Sequence, residues 1–207
     1  MLTIQELPTY PIWHVVSDNR DELAMAFLRM QKYYECPNPQ FQGKIFTLKQ
    51  YEDWYICTHP NGAFTYATDW SAFNVPGRVV RSVCETFADH SDNEQWLFTE
   101  LQARGAFNGE FYLIGNKCGE YENFEHEYRH ALFALNEKYR NVMSRIIAQY
   151  AVPELRSWIY KRYAPNVLID EIQAHALTGW PKDCAVSCEM RKLKHELMQA
   201  EKQYITA

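Results

Sequence analysis

The spacing of apolar residues along the chain predicts a molecule built mainly from helices. Leu23, Phe27, Met30 and Tyr34 recur at helical spacing, which predicts a first helix over about 18–34. The same periodicity predicts further helices over about 47–57, 76–87, 91–105, 122–150, 153–163, 167–177 and 188–204. The predicted architecture is therefore helix-rich, with little of the chain left for strands.

Local signals mark where several of these helices begin and end. The segments Thr47–Gln50 and Ser91–Glu94 have the capping-box pattern of a helix N-terminus. Gly179 closes the helix predicted over 167–177, because glycine readily adopts the backbone conformation that ends a helix. These boundaries are thus predicted from side-chain chemistry as well as from periodicity.

Two short apolar runs predict a small sheet in the first half of the chain. Ala63–Ala67 follows a Pro-Asn-Gly turn, and Phe111–Gly115 is apolar along its length, as in a covered strand. The segment 69–76 between them reads as irregular. We therefore predict an α+β fold, with a single domain over 1–207 that has helices and a small sheet in 1–115 and a helical half in 116–207.

Composition and charge exclude several classes of function. The chain has 47% hydrophobic and 23% charged residues, which is ordinary for a globular protein, and its net charge of −5 argues against a nucleic-acid-binding surface. No apolar run reaches the length of a membrane span, and the N-terminus has no signal-peptide pattern. The six cysteines are therefore expected to be reduced, and the protein is expected to be cytoplasmic, with no membrane or nucleic-acid partner.

The helix predicted over 122–150 carries the most informative motif, His126-Glu127-Tyr128-Arg129-His130. Residues four apart lie on one face of a helix, so His126 and His130 are placed to hold one Zn²⁺ together. Glu127 then lies close enough to act on a metal-bound water. The alternative is an exposed charged helix that merely carries two histidines.

A catalytic zinc site usually has three protein ligands and an open position for water. The sequence offers Glu154, Asp170, Glu171 and His175 as the third ligand, because the helix over 167–177 can fold back against the motif helix. Acidic residues on an otherwise apolar helix are costly to bury without a cation. The alternative is that Asp170 and Glu171 lie in a solvated first turn, where the helix dipole stabilises them.

The motif at 126–130 resembles the zinc-binding helix of the zincin metallopeptidases. Downstream, Asp170-Glu171-Ile172-Gln173-Ala174 is similar to the second-helix motif of the gluzincin branch, in which the glutamate is the third ligand. The resemblance implies that His126, His130 and Glu171 bind Zn²⁺ and that Glu127 is the general base. It covers residues 120–178 only.

One feature departs from the family pattern. The residues around the two histidines are normally uncharged because that helix is buried, whereas here Glu125 precedes His126 and Arg129 lies between the histidines. Glu125 and Arg129 are four residues apart, so we expect them to pair with each other on an exposed flank of the helix.

The function expected from these residues is that of a metallopeptidase acting on peptides or proteins. Glu127 would activate the zinc-bound water, and His175, with Tyr163 and Tyr160 as alternatives, would donate a hydrogen bond to the oxyanion. The run Phe111–Gly115 is either an edge strand on which an extended substrate pairs or a buried strand of the sheet.

Two other functions remain open at this point. The first is a zinc hydrolase of a non-peptide amide or ester that uses the same residues. The second is a non-catalytic interaction protein with a structural metal site, whose binding surface is formed by the aromatic segments 54–55 and 64–70. Glu127 favours the enzymes, because a structural site needs ligands but no base.

Overall fold

The computed structural model describes residues 1–205, and within this range the chain forms ten α-helices, two short 3-10 helices and one four-stranded sheet. The predicted α+β class, mostly helical with a small sheet, is confirmed. The chain divides into two compact units, Met1–Phe124 and the part from Glu125 onward. The expectation of a single domain over 1–207 stays a prediction.

The first unit contains the whole sheet. Its elements are β1 (Thr3–Glu6), β2 (Ile12–Ser17), α1 (Arg20–Glu35), α2 (Leu48–Thr58), α3 (Tyr66–Asp69), β3 (Ala72–Pro76), α4 (Gly77–Thr86), α5 (Asp92–Ala103), a 3-10 turn (Ala106–Asn108) and β4 (Tyr112–Lys117). The strand order is β1-β2-β4-β3. Strands β2 and β4 are parallel, and the other two pairs are antiparallel.

Helix α1 packs against one face of this sheet. The ring of Phe27 stacks on Phe73 of β3 with 5.4 Å between the ring centroids. Phe27 also lies so close to β4 that a Cβ placed on Gly115 would be 2.7 Å from its ring. A residue without a side chain is therefore required where α1 crosses β4.

The aromatic residues of the segment 47–70 mostly belong to the core of this unit. Tyr51, Tyr55 and Tyr66 are buried and pack together with their ring centroids 6.1–6.4 Å apart. The hydroxyl of Tyr66 donates to Oε1 of Gln31 at 2.5 Å, which satisfies it in the interior. These rings serve packing, which argues against the exposed aromatic binding surface considered above.

The predicted strand at Ala63–Ala67 is wrong. The rings of Phe64 and Tyr66 pack back on α2, and the chain forms a turn that leads into α3. The strand lies instead at β3, in the segment predicted to be irregular, because its pairing with β4 is a long-range interaction. Strands β1 and β2 were not predicted.

Strand β4 confirms the strand predicted at Phe111–Gly115 and decides between the two alternatives for it, an edge strand and a buried strand. It lies between β2 and β3 and is hydrogen-bonded on both sides. A peptide substrate cannot add to a strand that already has two neighbours, so the edge-strand interpretation is wrong.

The second unit is helical. Helix α6 (Tyr121–Leu135) begins at the end of the first unit and enters the second, which then contains α7 (Glu137–Ile147), α8 (Pro153–Tyr160), a 3-10 turn (Pro165–Val167), α9 (Leu168–Thr178) and α10 (Cys188–Ile205). Helices α7, α9 and α10 pack against one another, and α8 packs against α9. Their buried apolar side chains include Met143, Ile147, Ile159, Ile172 and Leu193.

The single long helix predicted over 122–150 is wrong, because the chain breaks at Asn136. The Asn136 backbone is extended, with φ −107° and ψ 100°, and its side chain accepts a hydrogen bond from the amide of Tyr139 at 3.0 Å. This side chain caps α7, so a new helix starts there.

Two global features complete the fold. Over the described range 1–205, no helix is both long enough and apolar enough to cross a membrane. All six cysteines are free, with Cys36 and Cys184 buried and the other four at least partly exposed.

Candidate metal centre

Helices α6 and α9 bring three side chains together in the second unit. His126 and His130, one turn apart on α6, place their Nε2 atoms 3.2 Å from each other. Oε1 of Glu171, on α9, lies 3.8 Å from His130 Nε2. Within residues 1–205, these three residues form the group of His, Cys, Asp or Glu side chains whose ligand atoms, all within 4.8 Å of one another, are placed to hold a metal ion.

The group is largely shielded from solvent. His130 and Glu171 are each 2% exposed, and His126 is partly buried. Asp170, which precedes Glu171, has a side chain that is 14% exposed. The interpretation that Asp170 and Glu171 lie in a solvated first turn is therefore wrong.

The hydrogen bond of His130 determines which of its ring nitrogens carries a proton. Its Nδ1 lies 2.9 Å from Oδ1 of Asp170. An ionised carboxylate only accepts hydrogen bonds, so Nδ1 must donate. In the neutral imidazole the lone pair is then on Nε2, the atom that faces His126 and Glu171.

A different partner has the same effect on His126. Its Nδ1 lies 2.9 Å from Oγ1 of Thr178, and that hydroxyl donates its own proton to the carbonyl of Ala174 at 2.7 Å. The hydroxyl can therefore only accept from His126, which puts the imidazole proton on Nδ1. The Nε2 lone pair of His126 is also directed into the group.

The two Nε2 atoms, 3.2 Å apart beside a carboxylate, would repel each other as lone pairs unless a cation, either a proton or a metal ion, lies between them. Two nitrogens that each lie 2.0–2.1 Å from a tetrahedral Zn²⁺ are about 3.3–3.4 Å apart. The donor set, two imidazoles and a carboxylate, is the one typical of catalytic zinc. The two histidines therefore fit Zn²⁺ in spacing and the donor set fits it in chemistry, whereas Oε1 of Glu171, 3.8 Å from His130 Nε2, lies somewhat farther away.

The two histidines have opposite pKa shifts. Burial, with the charges of His130, His175 and Arg129, holds the pKa of His126 well below its usual range. Burial also acts to lower the pKa of His130, but Asp170, Glu171 and Glu127 outweigh it and raise that pKa well above the usual range. A cation at this position, whether a proton or a metal ion, is thus stabilised on the His130 side.

His175 lies one turn beyond Glu171, with its Nε2 3.6 Å from Glu171 Oε2 and its ring 4.8 Å from that of His126. Among the described residues, this buried Nε2 has no hydrogen-bond partner. Burial, with the charges of His130 and Arg162, lowers the pKa of His175 to about 4, so the ring is neutral at pH 7. The edge of the Trp158 ring packs on it at 5.2 Å.

Glu127 is buried next to the first histidine. It is 7% exposed, and its charge contributes to the raised pKa of His130. A carboxylate thus lies near the histidine pair without belonging to the group of ligand atoms. Its burial beside the histidine pair makes Glu127 the candidate for a general base.

The other candidates lie outside the group. Tyr163 is half-buried with its ring 6.5 Å from that of Trp158, and Tyr160 is 51% exposed. Glu154 is exposed at the start of α8 and is not one of the clustered ligands. The role of Tyr163 as a hydrogen-bond donor stays a prediction.

The arginine between the two histidines is accommodated in the interior. Nη1 of Arg129 pairs with Oε2 of Glu125 at 2.9 Å, and its Nε lies 2.8 Å from Oε1 of Glu201 on α10. Arg129 is 9% exposed whereas the side chain of Glu125 is 55% exposed, so the expected pair forms with its carboxylate at the surface and its arginine buried. Because α10 supplies a counter-charge, α6 carries an arginine without exposing that flank.

Sequence reasoning missed the residues that orient the ligands. Thr178 follows Glu171 by two helical turns, so helical spacing alone would have placed it on the same face. No local signal links Arg129 to Glu201, because 72 residues separate them. Asp170 was considered as a ligand but not as the partner of His130.

Comparison of the chain with protein-family models, with curated proteins and with solved structures finds no match. The resemblance to zincin metallopeptidases therefore depends on the segments 126–130 and 170–174 alone.

Proposed function

We propose that this protein is a zinc-dependent hydrolase that cleaves peptide bonds. The observation that supports this most directly is the pair of Nε2 lone pairs, 3.2 Å apart, on His126 and His130. Each is directed by a hydrogen bond at Nδ1, and Glu171 supplies a carboxylate beside them. Glu127 adds the buried base that a purely structural site does not need.

Each residue has a distinct role in this proposal. His126, His130 and Glu171 hold Zn²⁺, which when bound lowers the pKa of water and polarises a carbonyl. Glu127 takes the proton of the attacking water and delivers it to the leaving amine. His175 does not donate to the negative charge on the carbonyl oxygen in its neutral form, because its hydrogen bond to the Gly179 backbone leaves a lone pair rather than a proton on Nε2.

The leaving group favours a peptidase over an esterase. An amine is a poor leaving group until it is protonated, so a group that first accepts and then returns a proton is needed. The buried Glu127 can do both. The same residues would also serve a non-peptide amide or an ester, and substrates of these classes belong in the test.

A structural metal site is a second candidate, and one observation favours it. Nε2 of His175 is buried without a hydrogen-bond partner among the described residues, 3.6 Å from Oε2 of Glu171. If His175 were a fourth ligand, it would close the coordination sphere, as in structural zinc sites. Glu127 would then have no chemical role.

Metal analysis and one substitution test the hydrolase. The purified full chain is expected to contain about one Zn²⁺ per molecule. Glu127→Gln should retain the metal and lose cleavage of an internally quenched peptide mixture, because the amide cannot accept the proton. Glu122→Gln is the matched control: the residue is exposed on the same helix, and activity should be unchanged.

Three results would contradict the proposal. Absence of zinc would exclude both the hydrolase and the structural site. Full activity in Glu127→Gln would show that this residue is not the base. Bound zinc without cleavage of peptides, amides or esters, together with loss of zinc in His175→Ala, would assign the structural site instead.

A further inference from the structure

We propose that Asp170 is a positioning residue that holds His130 as the stronger of the two histidine ligands, and that Gln173 and Tyr139 in turn hold Asp170. The inference rests on the zinc site proposed above. It adds a series of hydrogen-bonded side chains on the Nδ1 side of His130. This hydrogen-bond chain leads through α9 to the first turn of α7.

The chain is continuous in hydrogen bonds. Nδ1 of His130 donates to Oδ1 of Asp170 at 2.9 Å, and Nε2 of Gln173 donates to the same oxygen at 3.0 Å. The hydroxyl of Tyr139 donates to Oε1 of Gln173 at 2.9 Å, and it also has the carboxylate of Glu201 within hydrogen-bond reach. Four side chains from three helices are thereby connected in sequence.

The middle of the chain has little freedom to rearrange. Gln173 and Tyr139 are both fully buried. The amide nitrogen of Gln173 also donates to the backbone carbonyl of Arg129 on α6 at 3.3 Å. Rotation of the Gln173 amide would break the hydrogen bonds of both its oxygen and its nitrogen. Gln173 therefore fixes the orientation of the Asp170 carboxylate.

This geometry assigns Asp170 a role other than that of a ligand. The carboxylate contacts Nδ1, whereas the zinc ligand atom of His130 is Nε2 on the other side of the ring. A carboxylate at the distal nitrogen sets the tautomer and increases the electron donation of the ring to the metal. His126 has only the neutral Thr178 hydroxyl in that position, so His130 is the stronger ligand.

Zinc affinity is the quantity that tests the inference. Kd would be measured by competition with a chromogenic chelator on the full-length protein. Asp170→Asn should weaken zinc binding about 10–100-fold, because an amide orients and polarises His130 less than a carboxylate does. Asp92→Asn, the same charge change at an exposed position of α5, should leave Kd unchanged.

A second measurement separates positioning from a merely structural role. Unfolding of the metal-free Asp170→Asn protein would be followed by circular dichroism, and Co²⁺ absorption would report its ligand set. Weaker zinc binding with an unchanged Co²⁺ spectrum supports the proposal. Reduced stability of the metal-free protein with the wild-type zinc Kd overturns it.

A milder variant keeps the inference testable if Asp170→Asn does not fold. Tyr139→Phe removes one hydroxyl from the chain and should weaken zinc binding at least about twofold, in the direction expected for an outer-shell partner. An unchanged Kd in that variant contradicts the proposed role of Tyr139 and Gln173 in holding Asp170. Zinc binding by wild type without hydrolysis would overturn the proposed hydrolase and leave the role of Asp170 intact, whereas normal hydrolysis with an unaffected Asp170→Asn Kd would do the reverse.

Discussion

At the scale of single residues, the informative atoms are the Nδ1 atoms of the histidines rather than the ligand atoms. Asp170 and Thr178 each engage one of them, and both Nε2 lone pairs are thereby directed to the same point. The HExxH string predicts two imidazoles on one helix face. It does not predict the orientation of the rings, which comes from α9.

For the zinc site proposed above, the raised pKa of His130 predicts a metal affinity that depends on pH. Burial opposes the shift, but Asp170, Glu171 and Glu127 raise the pKa of His130 well above its usual range, so a proton competes with the metal ion for this ring. Zinc must displace that proton, so its affinity should rise about tenfold per pH unit below the pKa of His130. Chelator competition at about pH 6, 7 and 8 measures this, and calorimetry in two buffers counts the protons released.

The raised pKa of His130 has the opposite effect on the folding stability of the metal-free protein, which should fall rather than rise with increasing pH. Because the pKa of His130 is higher when folded than when unfolded, its contribution to stability is complete below about pH 6.5 and is lost as the pH rises through the folded value. Zinc affinity independent of pH would contradict both statements.

At the scale of elements, a buried ion pair connects α10 to α6, the helix that carries the two histidines. Besides the Nε contact, which is an ion pair without hydrogen-bond geometry, Nη2 of Arg129 donates to Oε2 of Glu201 at 3.2 Å. The carboxylate of Glu201 offsets the cost of removing the Arg129 guanidinium from water, so α10 can cover this part of α6.

Removing one partner of this pair should be costly. Glu201→Gln leaves the buried Arg129 with Glu125 alone and should lower the free energy of unfolding by about 3 kcal/mol, measured by urea denaturation. Glu189→Gln breaks an exposed pair with Lys192 on the same helix and should cost less than about 1 kcal/mol. Equal effects of the two substitutions would show that burial is not what matters here.

The crossing of α1 over β4 provides a second prediction at this scale. A Cβ on Gly115 would be 2.7 Å from the Phe27 ring and 3.2 Å from Leu23, so Gly115→Ala should destabilise the protein by about 1–3 kcal/mol. Gly109→Ala is the matched control, because a Cβ there meets nothing within 4 Å. Thermal unfolding of both variants distinguishes a steric cost from a general cost of replacing glycine.

At the scale of the whole molecule, the sheet and the candidate metal centre belong to different parts of the chain. The sheet and its aromatic core lie in Met1–Phe124, whereas every ligand and the residues that orient them follow Glu125. The aromatic residues of the first unit therefore carry no direct information about the chemistry of the second unit. The net charge of −5 belongs to the whole chain and does not locate the site either.

How much of this could be predicted from sequence depends on whether a signal is local. The capping boxes that begin α2 and α5 involve residues three apart, and both form as predicted. Strand β3 forms only because β4 pairs with it, so its own sequence reads as irregular. Likewise the bond of His130 to Asp170 depends on how α9 folds back, which no spacing in the sequence states.

The break at Asn136 has a consequence for the rotational phase of the helices. An uninterrupted α-helix turns about 100° per residue, so a residue nine positions after His130 would face the opposite side of that helix. Tyr139 is that residue. Because α6 ends and α7 starts anew at Asn136, the direction of the Tyr139 side chain is not fixed by the rotation of α6. Its hydroxyl can therefore point back and donate to Gln173, which in turn holds Asp170.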